Sequence, residues 1–259
     1  MKSLKVTVLG SGTSQGVPVI GCQCNVCTST DSRDKRLRSS IMFNYNGENF
    51  VVDTGPDFRQ QMLRENVQSL RAVIYTHEHK DHIAGMDDVR AFNFIEKRDM
   101  EIFCTKAVEK ALLREFHYAF EANKYPGVPN VNINLFEDEP FQLINGPTII
   151  PIQVMHHKLP VKGFRIGDFT YLTDMKTISD KEVKKVVGTK ILILDCLRRS
   201  DHISHLNLKQ ALEFIDYIKP KKTYLTHISH LFDTHENILK ELPDNVEPAY
   251  DGLTFEVGT

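Results

Sequence analysis

The chain has no apolar run that approaches the length of a bilayer span, no low-complexity tract, no block of like charge and no linker-like stretch. A membrane helix needs about 20 predominantly apolar residues, so none is expected. The opening Met1-Lys-Ser-Leu-Lys-Val-Thr-Val-Leu-Gly10 is apolar over too short a distance for a signal peptide. A cytoplasmic location is therefore expected, with no membrane partner. There is also no basic excess: 32 Lys and Arg stand against 34 Asp and Glu, a formal net charge of −2. A protein that grips long nucleic acid needs a basic surface, so nucleic acid is not expected as the main partner, although a local basic patch stays open. Cysteine is sparse, with five in 259 residues. Three of these, Cys22, Cys24 and Cys27, fall within six positions, while Cys104 and Cys196 each end an apolar run. In a cytoplasmic setting such a cluster argues for metal binding over disulfides, and the two isolated thiols read as inert core residues.

What remains is ordinary globular material, 41% hydrophobic and 25% charged. Without a divider, residues 1–259 read as a single domain. Strand-like runs lie at 4–9, 40–45, 49–53, 72–76, 101–104, 131–136, 148–154, 164–166, 169–173, 190–195, 222–226 and 253–257. Helical patterns lie at 56–66, 83–97, 106–122, 179–187, 207–218 and 234–241. Asn46-Gly47 between two strand runs is a hairpin signal. The alternation predicts an α/β protein with helices packed outside two sheets.

The most informative stretch is Thr76-His-Glu-His-Lys-Asp-His82. Imidazole and carboxylate are the usual ligands of zinc, manganese and iron. So many at this spacing cannot enter an apolar core unpaired. His77 and His79 alternate by two and share a side in extended backbone. Asp81 and His82 follow after a turn and can face a second ion. A two-metal site points to hydrolysis. The same local shape recurs. Ile74-Tyr-Thr-His77, Tyr171-Leu-Thr-Asp174 and Tyr224-Leu-Thr-His227 each end a strand in Thr and then a ligand type. Val51-Val-Asp53 is a looser case, and His156 or His157 follows the run 148–154. Ligands at several strand tips can converge on one sheet edge. The isolated His117, His202 and His235 read as surface or satisfied core residues.

The ordered set His77-x-His79-x-Asp81-His82, then a His, an Asp and a final His, resembles the metallo-β-lactamase fold superfamily. The resemblance implies an αββα sandwich of two mixed sheets and a dinuclear site holding Zn2+ or Mn2+. One ion would take His77, His79, His156 and a bridging Asp174. The other would take Asp81, His82, Asp174 and His227. The stretch His156-x-Lys-Leu-Pro-Val-x-Gly-Phe164 selects His156 over His157 on that pattern. Asp53 corresponds to a carboxylate that orients the histidine loop.

The cysteine cluster, on the loop 21–28, needs a fourth ligand to hold a structural zinc. His230, three residues beyond His227, can supply it. The start Leu9-Gly-Ser-Gly-Thr-Ser-Gln-Gly-Val-Pro18 and the CxCxxC loop further resemble PhnP-type phosphodiesterases, which open a phosphoribosyl 1,2-cyclic phosphate. That likeness implies a Cys3His zinc at Cys22, Cys24, Cys27 and His230. It also implies a role for His205, in Ser204-His-Leu-Asn-Leu208, as general acid or phosphate contact. The expected activity is hydrolysis of a small phosphodiester by a water activated between two metal ions, with Asp81 assisting that water. A homodimer is expected from the same likeness. The ligand set also serves tRNA 3′-end nucleases and thioester hydrolases, and a non-catalytic metal-binding protein is a further alternative. β-Lactamase activity is not expected, because those enzymes typically carry Cys where Asp174 stands.

Overall fold

The computed structural model describes residues 3–258. Its first sheet is built from β1 (Ser3–Gly10), β2 (Ser40–Tyr45), β3 (Glu48–Val52), β4 (Ala72–Ile74), β5 (Met100–Cys104), β6 (Val131–Leu135) and the last strand, Thr254–Gly258. The first three and the last pair antiparallel, and β3 to β6 run parallel. The second sheet takes β7 (Phe141–Gln142), β8 (Thr148–His156), β9 (Leu159–Ile166), β10 (Phe169–Leu172), β11 (Thr177–Ile178), β12 (Ile191–Asp195), β13 (Lys222–Thr226) and β14 (Val246–Pro248). Here β8, β9 and β10 are antiparallel, and β10, β12, β13 and β14 are parallel. The final strand of the first sheet is β15.

Strand alternation sorts the apolar residues into three layers. Val6, Phe43, Phe50, Val52 and Ile74 of the first sheet meet Phe164, Ile166, Tyr171 and Ile193 of the second, forming the central core. The opposite faces are covered by helices. Val51, Val73 and Ile102 pack under α1 (Phe58–Arg64), α3 (Arg90–Glu96) and α4 (Lys106–Glu115). Leu192, Leu194 and Leu225 pack under α5 (Asp180–Val186), α6 (Leu208–Ile218) and α7 (His235–Glu241). This is the predicted αββα sandwich. Full burial of each such side chain is worth about 1.5–3 kcal/mol, so the strands are held firmly enough to fix what projects from their ends.

Two differences from the predicted elements bear on the site. The helix expected at 83–97 begins earlier and breaks: α2 (Lys80–Ile83) starts inside the histidine motif, and a tight turn at Met86–Val89 separates it from α3. Gly85 lies at the break. A β-carbon there would stand 2.2 Å from the Gly55 carbonyl oxygen, while the Gly85 N–H bonds the Thr54 carbonyl at 2.8 Å. This close approach docks the metal-motif loop against the end of β3. In addition, β8 and β9 form one long hairpin that reaches His156, where pattern alone ended the first strand at 154 and began the second at 164. No helix among the described residues is long and apolar enough to cross a membrane.

Candidate metal centre

The C-terminal ends of β3, β4, β8, β10, β12 and β13 deliver their terminal polar residues to one edge of the sandwich. His77 (after β4), His82 (on α2), Asp174 (after β10) and His227 (after β13) are all buried, whereas His79 is exposed and Asp81 half-buried. Asp174 sits in the middle. Its Oδ2 lies 3.2 Å from His82 Nε2 and 3.3 Å from His227 Nδ1. Its Oδ1 lies 4.0 Å from His77 Nε2 and from His156 Nδ1. Asp81 Oδ2 is 3.2 Å from His82 Nε2. Three compact triads share Asp174: with His77 and His82, with Asp81 and His227, and with His156 and His205. The His79 ring stands next to them, 4.6 Å from the His77 ring and 5.3 Å from that of His156. His157 turns away, exposed and with φ of 56° in the β8–β9 turn.

The chemistry of the donors fits divalent metal. His77 Nε2, His82 Nε2 and His156 Nδ1 are buried without a hydrogen-bond partner, which buried polar atoms seldom tolerate. Burial drives His77 well below the ordinary imidazole value, toward the neutral ligand form. Burial opposes charge on His82 as well, yet Asp174, Asp81 and Asp53 around it raise it well above that value. The pocket of carboxylates thus favours a cation at the His82 Nε2 side.

Asp53 sets the imidazole tautomers. Fully buried, it accepts from Thr76 N–H at 2.8 Å, from Thr76 Oγ1 at 2.8 Å and from His82 Nδ1 at 2.7 Å. Because the carboxylate only accepts, His82 carries a proton on Nδ1, and a metal would meet Nε2 in place of the second proton that the surrounding carboxylates favour there. The Thr76 hydroxyl has one proton, given to Asp53, so it accepts from His77 Nδ1 at 2.9 Å. His77 Nε2 is thereby left free. One carboxylate therefore aims two imidazoles.

Reading the sequence alone missed Asp195, at the end of β12. It accepts from His205 Nδ1 at 2.9 Å, from Leu206 N–H at 2.9 Å and from Asp174 N–H at 3.2 Å. The signal was present: Ile191-Leu-Ile-Leu-Asp195 is another strand ending in a carboxylate, like Val51-Val-Asp53. Burial disfavours charge on His205, but the Asp195 carboxylate outweighs it and raises His205 above its ordinary value. The His205 ring packs 4.5 Å from His156 and 4.6 Å from His227. An Asn207–Gln210 capping box starts α6 just beyond it. His202, read from sequence as an ordinary surface or core residue, instead has its ring 5.1 Å from that of His205. His117 is exposed and His235 is buried away from this edge.

The cysteine loop forms a second cluster. Cys22, Cys24 and Cys27 place their sulfurs 3.3, 3.5 and 3.5 Å from His230 Nδ1. The Cys27 N–H lowers the Cys24 thiol to about 6, within reach of the thiolate a metal requires. The segment between His227 and His230 is pinned to the first sheet, with Ile228 N–H on the Ser11 carbonyl at 2.9 Å.

Residues 48–228 match the family model described as the beta-lactamase superfamily domain. A diphosphatase of the PhnP family, known from its crystal structure, is 39% identical, with 98% of each chain covered and a TM-score of 0.92. Zinc-bound PqqB from Methylobacterium extorquens shares the fold at a TM-score of 0.79 and 19% identity, covering 97% of this chain and 99% of its own. A Porphyromonas gingivalis protein named octanoyltransferase is 38% identical over 96% of this chain, but the chain spans only 51% of that protein's length. The chain belongs to the beta-lactamase superfamily, has the metallo-β-lactamase fold and is PhnP-like.

Proposed function

We propose that the chain is a divalent-metal-dependent phosphodiesterase acting on small, preferably cyclic, phosphodiesters such as a phosphoribosyl cyclic phosphate. The observation that carries this reading is the Asp195–His205 pair set directly beside the Asp174-centred cluster. Ester hydrolysis at phosphorus needs an acid for the departing alkoxide, and a carboxylate-held histidine beside a metal cluster is suited to that task. The 39% identical PhnP-family relative acts as a diphosphatase, which is chemistry at phosphorus.

His77, His79 and His156 would hold one ion, and Asp81, His82 and His227 the other, with Asp174 shared. Cys22, Cys24, Cys27 and His230 would hold a separate structural zinc. When bound, the metal pair neutralises phosphate charge and acidifies the attacking water. Asp81, half-buried, orients that water through its carboxylate and relays its proton to solvent. Asp195 keeps the His205 Nδ1 proton in place and favours the imidazolium. His205 then passes its Nε2 proton to the leaving oxygen as the P–O bond breaks. The backbone bonds from Leu206 and Asp174 to Asp195 fix this acid relative to the cluster.

The test is steady-state hydrolysis of bis-p-nitrophenyl phosphate and of cyclic phosphates, with metal content measured alongside. Asp174→Asn should lose metal and turnover together. His205→Ala should lose about 100-fold or more in turnover, within the general-acid range, while keeping its metal. Full turnover by Asp174→Asn refutes the two-metal reading, and metal loss in His205→Ala makes His205 a ligand.

A further inference from the structure

His202 is a half-buried residue in the loop between β12 and α6, with its ring 5.1 Å from that of His205. The loop around it is braced. Arg198 bonds the Asp201 carbonyl at 2.9 Å, Asn207 holds the Asp201 side chain, and Asn207 is itself fixed as the cap of α6. The ring cannot turn freely, because its Nδ1 lies 3.3 Å from Ser204 N and 3.2 Å from Ser204 Oγ. A backbone amide only donates, so Nδ1 is an acceptor. In a neutral imidazole the single proton is then on Nε2. Burial, helped by the neighbouring His205 and Arg198, lowers His202 below its ordinary value, which keeps it neutral. Nε2–H has no partner among the described residues. The product of this geometry is a rigid, half-buried N–H donor 5.1 Å, ring to ring, from the residue that serves the leaving oxygen.

We infer that His202 is a substrate-contacting residue whose Nε2–H binds an oxygen acceptor on the leaving-group side of the scissile bond, so that it selects leaving groups bearing a second oxygen next to the departing one. A ribose ring carries such oxygens, whereas a p-nitrophenolate has none adjacent to its departing oxygen. The inference rests on the phosphodiesterase reading and on His205 as the acid, and it adds a specificity determinant to them.

The experiment compares adenosine 2′,3′-cyclic phosphate with bis-p-nitrophenyl phosphate on the metal-loaded enzyme and its variants. Losing one neutral hydrogen bond corresponds to about 3- to 10-fold. His202→Ala should lower the ratio of kcat/KM for the cyclic phosphate over the aryl diester by that factor, chiefly through KM. His202→Gln, which keeps an amide donor on a side chain of similar reach, should restore most of that ratio. An unchanged ratio in His202→Ala overturns the inference, as does an equal loss in both variants. A wild-type enzyme inert toward both esters refutes the phosphodiesterase reading itself, a result distinct from either.

Discussion

Replacing Asp53 with Asn isolates the job of one buried carboxylate. Asp53 has φ of 66°, a left-handed conformation that Asn tolerates as well as Asp does. The two side chains also match in shape, so backbone and packing are preserved. What changes is one oxygen, replaced by NH2. If the remaining oxygen keeps the Thr76 N–H, the amide replaces Oδ2 and faces both the Thr76 hydroxyl and the proton on His82 Nδ1, which lie 2.8 and 2.7 Å from that oxygen in the native site. His82 must then lose that bond or move its proton to Nε2, where it no longer ligates. A hydrogen bond to a charged group is worth about 1.5–3 kcal/mol, and loss of such a support typically costs about 10- to 100-fold in metal affinity. Asp53→Asn should therefore bind the weaker of its active-site metals about 10- to 100-fold less tightly, measured by competition with a chromophoric chelator. The metal-free protein should lose much less stability than in Asp53→Ala, which also leaves the Thr76 N–H unpaired in the core. Metal affinity within about twofold of wild type would show that Asp53 does not orient the histidines.

Two further outcomes follow from residues away from the active site. Cys22→Ser should lose one metal equivalent by elemental analysis while the other sites stay loaded. If the knuckle zinc contributes about 3 kcal/mol, a modest value for a lost structural metal, the melting midpoint should fall by about 6–12 °C. An unchanged metal count refutes the knuckle as a zinc site. His235 packs beside Arg36, with its Nδ1 3.4 Å from the guanidinium, and burial followed by the Arg36 and Arg33 charges pushes it from 6.5 down to about 4. Its neutral form is what the fold accepts, so its contribution is complete above about 6.5 and is lost as pH falls toward 4. Urea unfolding of His235→Gln should lose less stability between pH 7 and pH 4.5 than wild type does; parallel losses would contradict this.

Much of the sandwich was legible because its strands are short apolar runs with clear ends. Ser40–Tyr45 and Lys222–Thr226 fall where the pattern puts them. The pieces that escaped are those whose cause is not local. The two-residue β7 and β11 exist only by pairing with β8, and no two-residue segment carries a period. The 83–97 region keeps a helical pattern throughout, but tertiary contact at Gly85 breaks it. At the site, the side-chain types and their order were visible. Asp195 was not singled out, because a carboxylate at a strand end has no special meaning until its partner, His205, ten positions further along the chain, is brought to it by the loop. The nearness of the His202 ring to His205 was out of sight for the same reason, since a ring-to-ring distance is set by the folded loop.

A physical regularity explains both the recurring strand-end pattern and the limits of reading it. Asp53, Asp174 and His227 each come just after a strand, and each has a left-handed backbone, with φ of 66°, 53° and 60°. Other positive-φ residues have familiar duties: Asn46 is in a hairpin turn, and Lys97 and Lys219 end helices. A left-handed residue ends the alternation of a strand and swings its side chain out of the sheet's two faces, toward the edge. Counting faces along the strand therefore cannot give its direction, although the residue type is informative, since Asp, Asn and His accept this conformation better than branched residues do. Such positions cost about 1–3 kcal/mol each and persist only where the surrounding structure imposes them. Here the buried strands on either side impose them, and the three residues converge on one edge. Alanine at these positions would change backbone preference and side-chain chemistry together, confusing strain with ligation. Asparagine keeps the left-handed preference and matches Asp in shape, so Asp174→Asn separates the two, and His227→Asn does so apart from the volume of the lost ring. If both fold with wild-type stability in the metal-free state and lose only metal, the strain is borne by the sandwich and the polar atoms serve the site. Destabilised metal-free variants would instead assign these side chains a share in holding the sheet edges together.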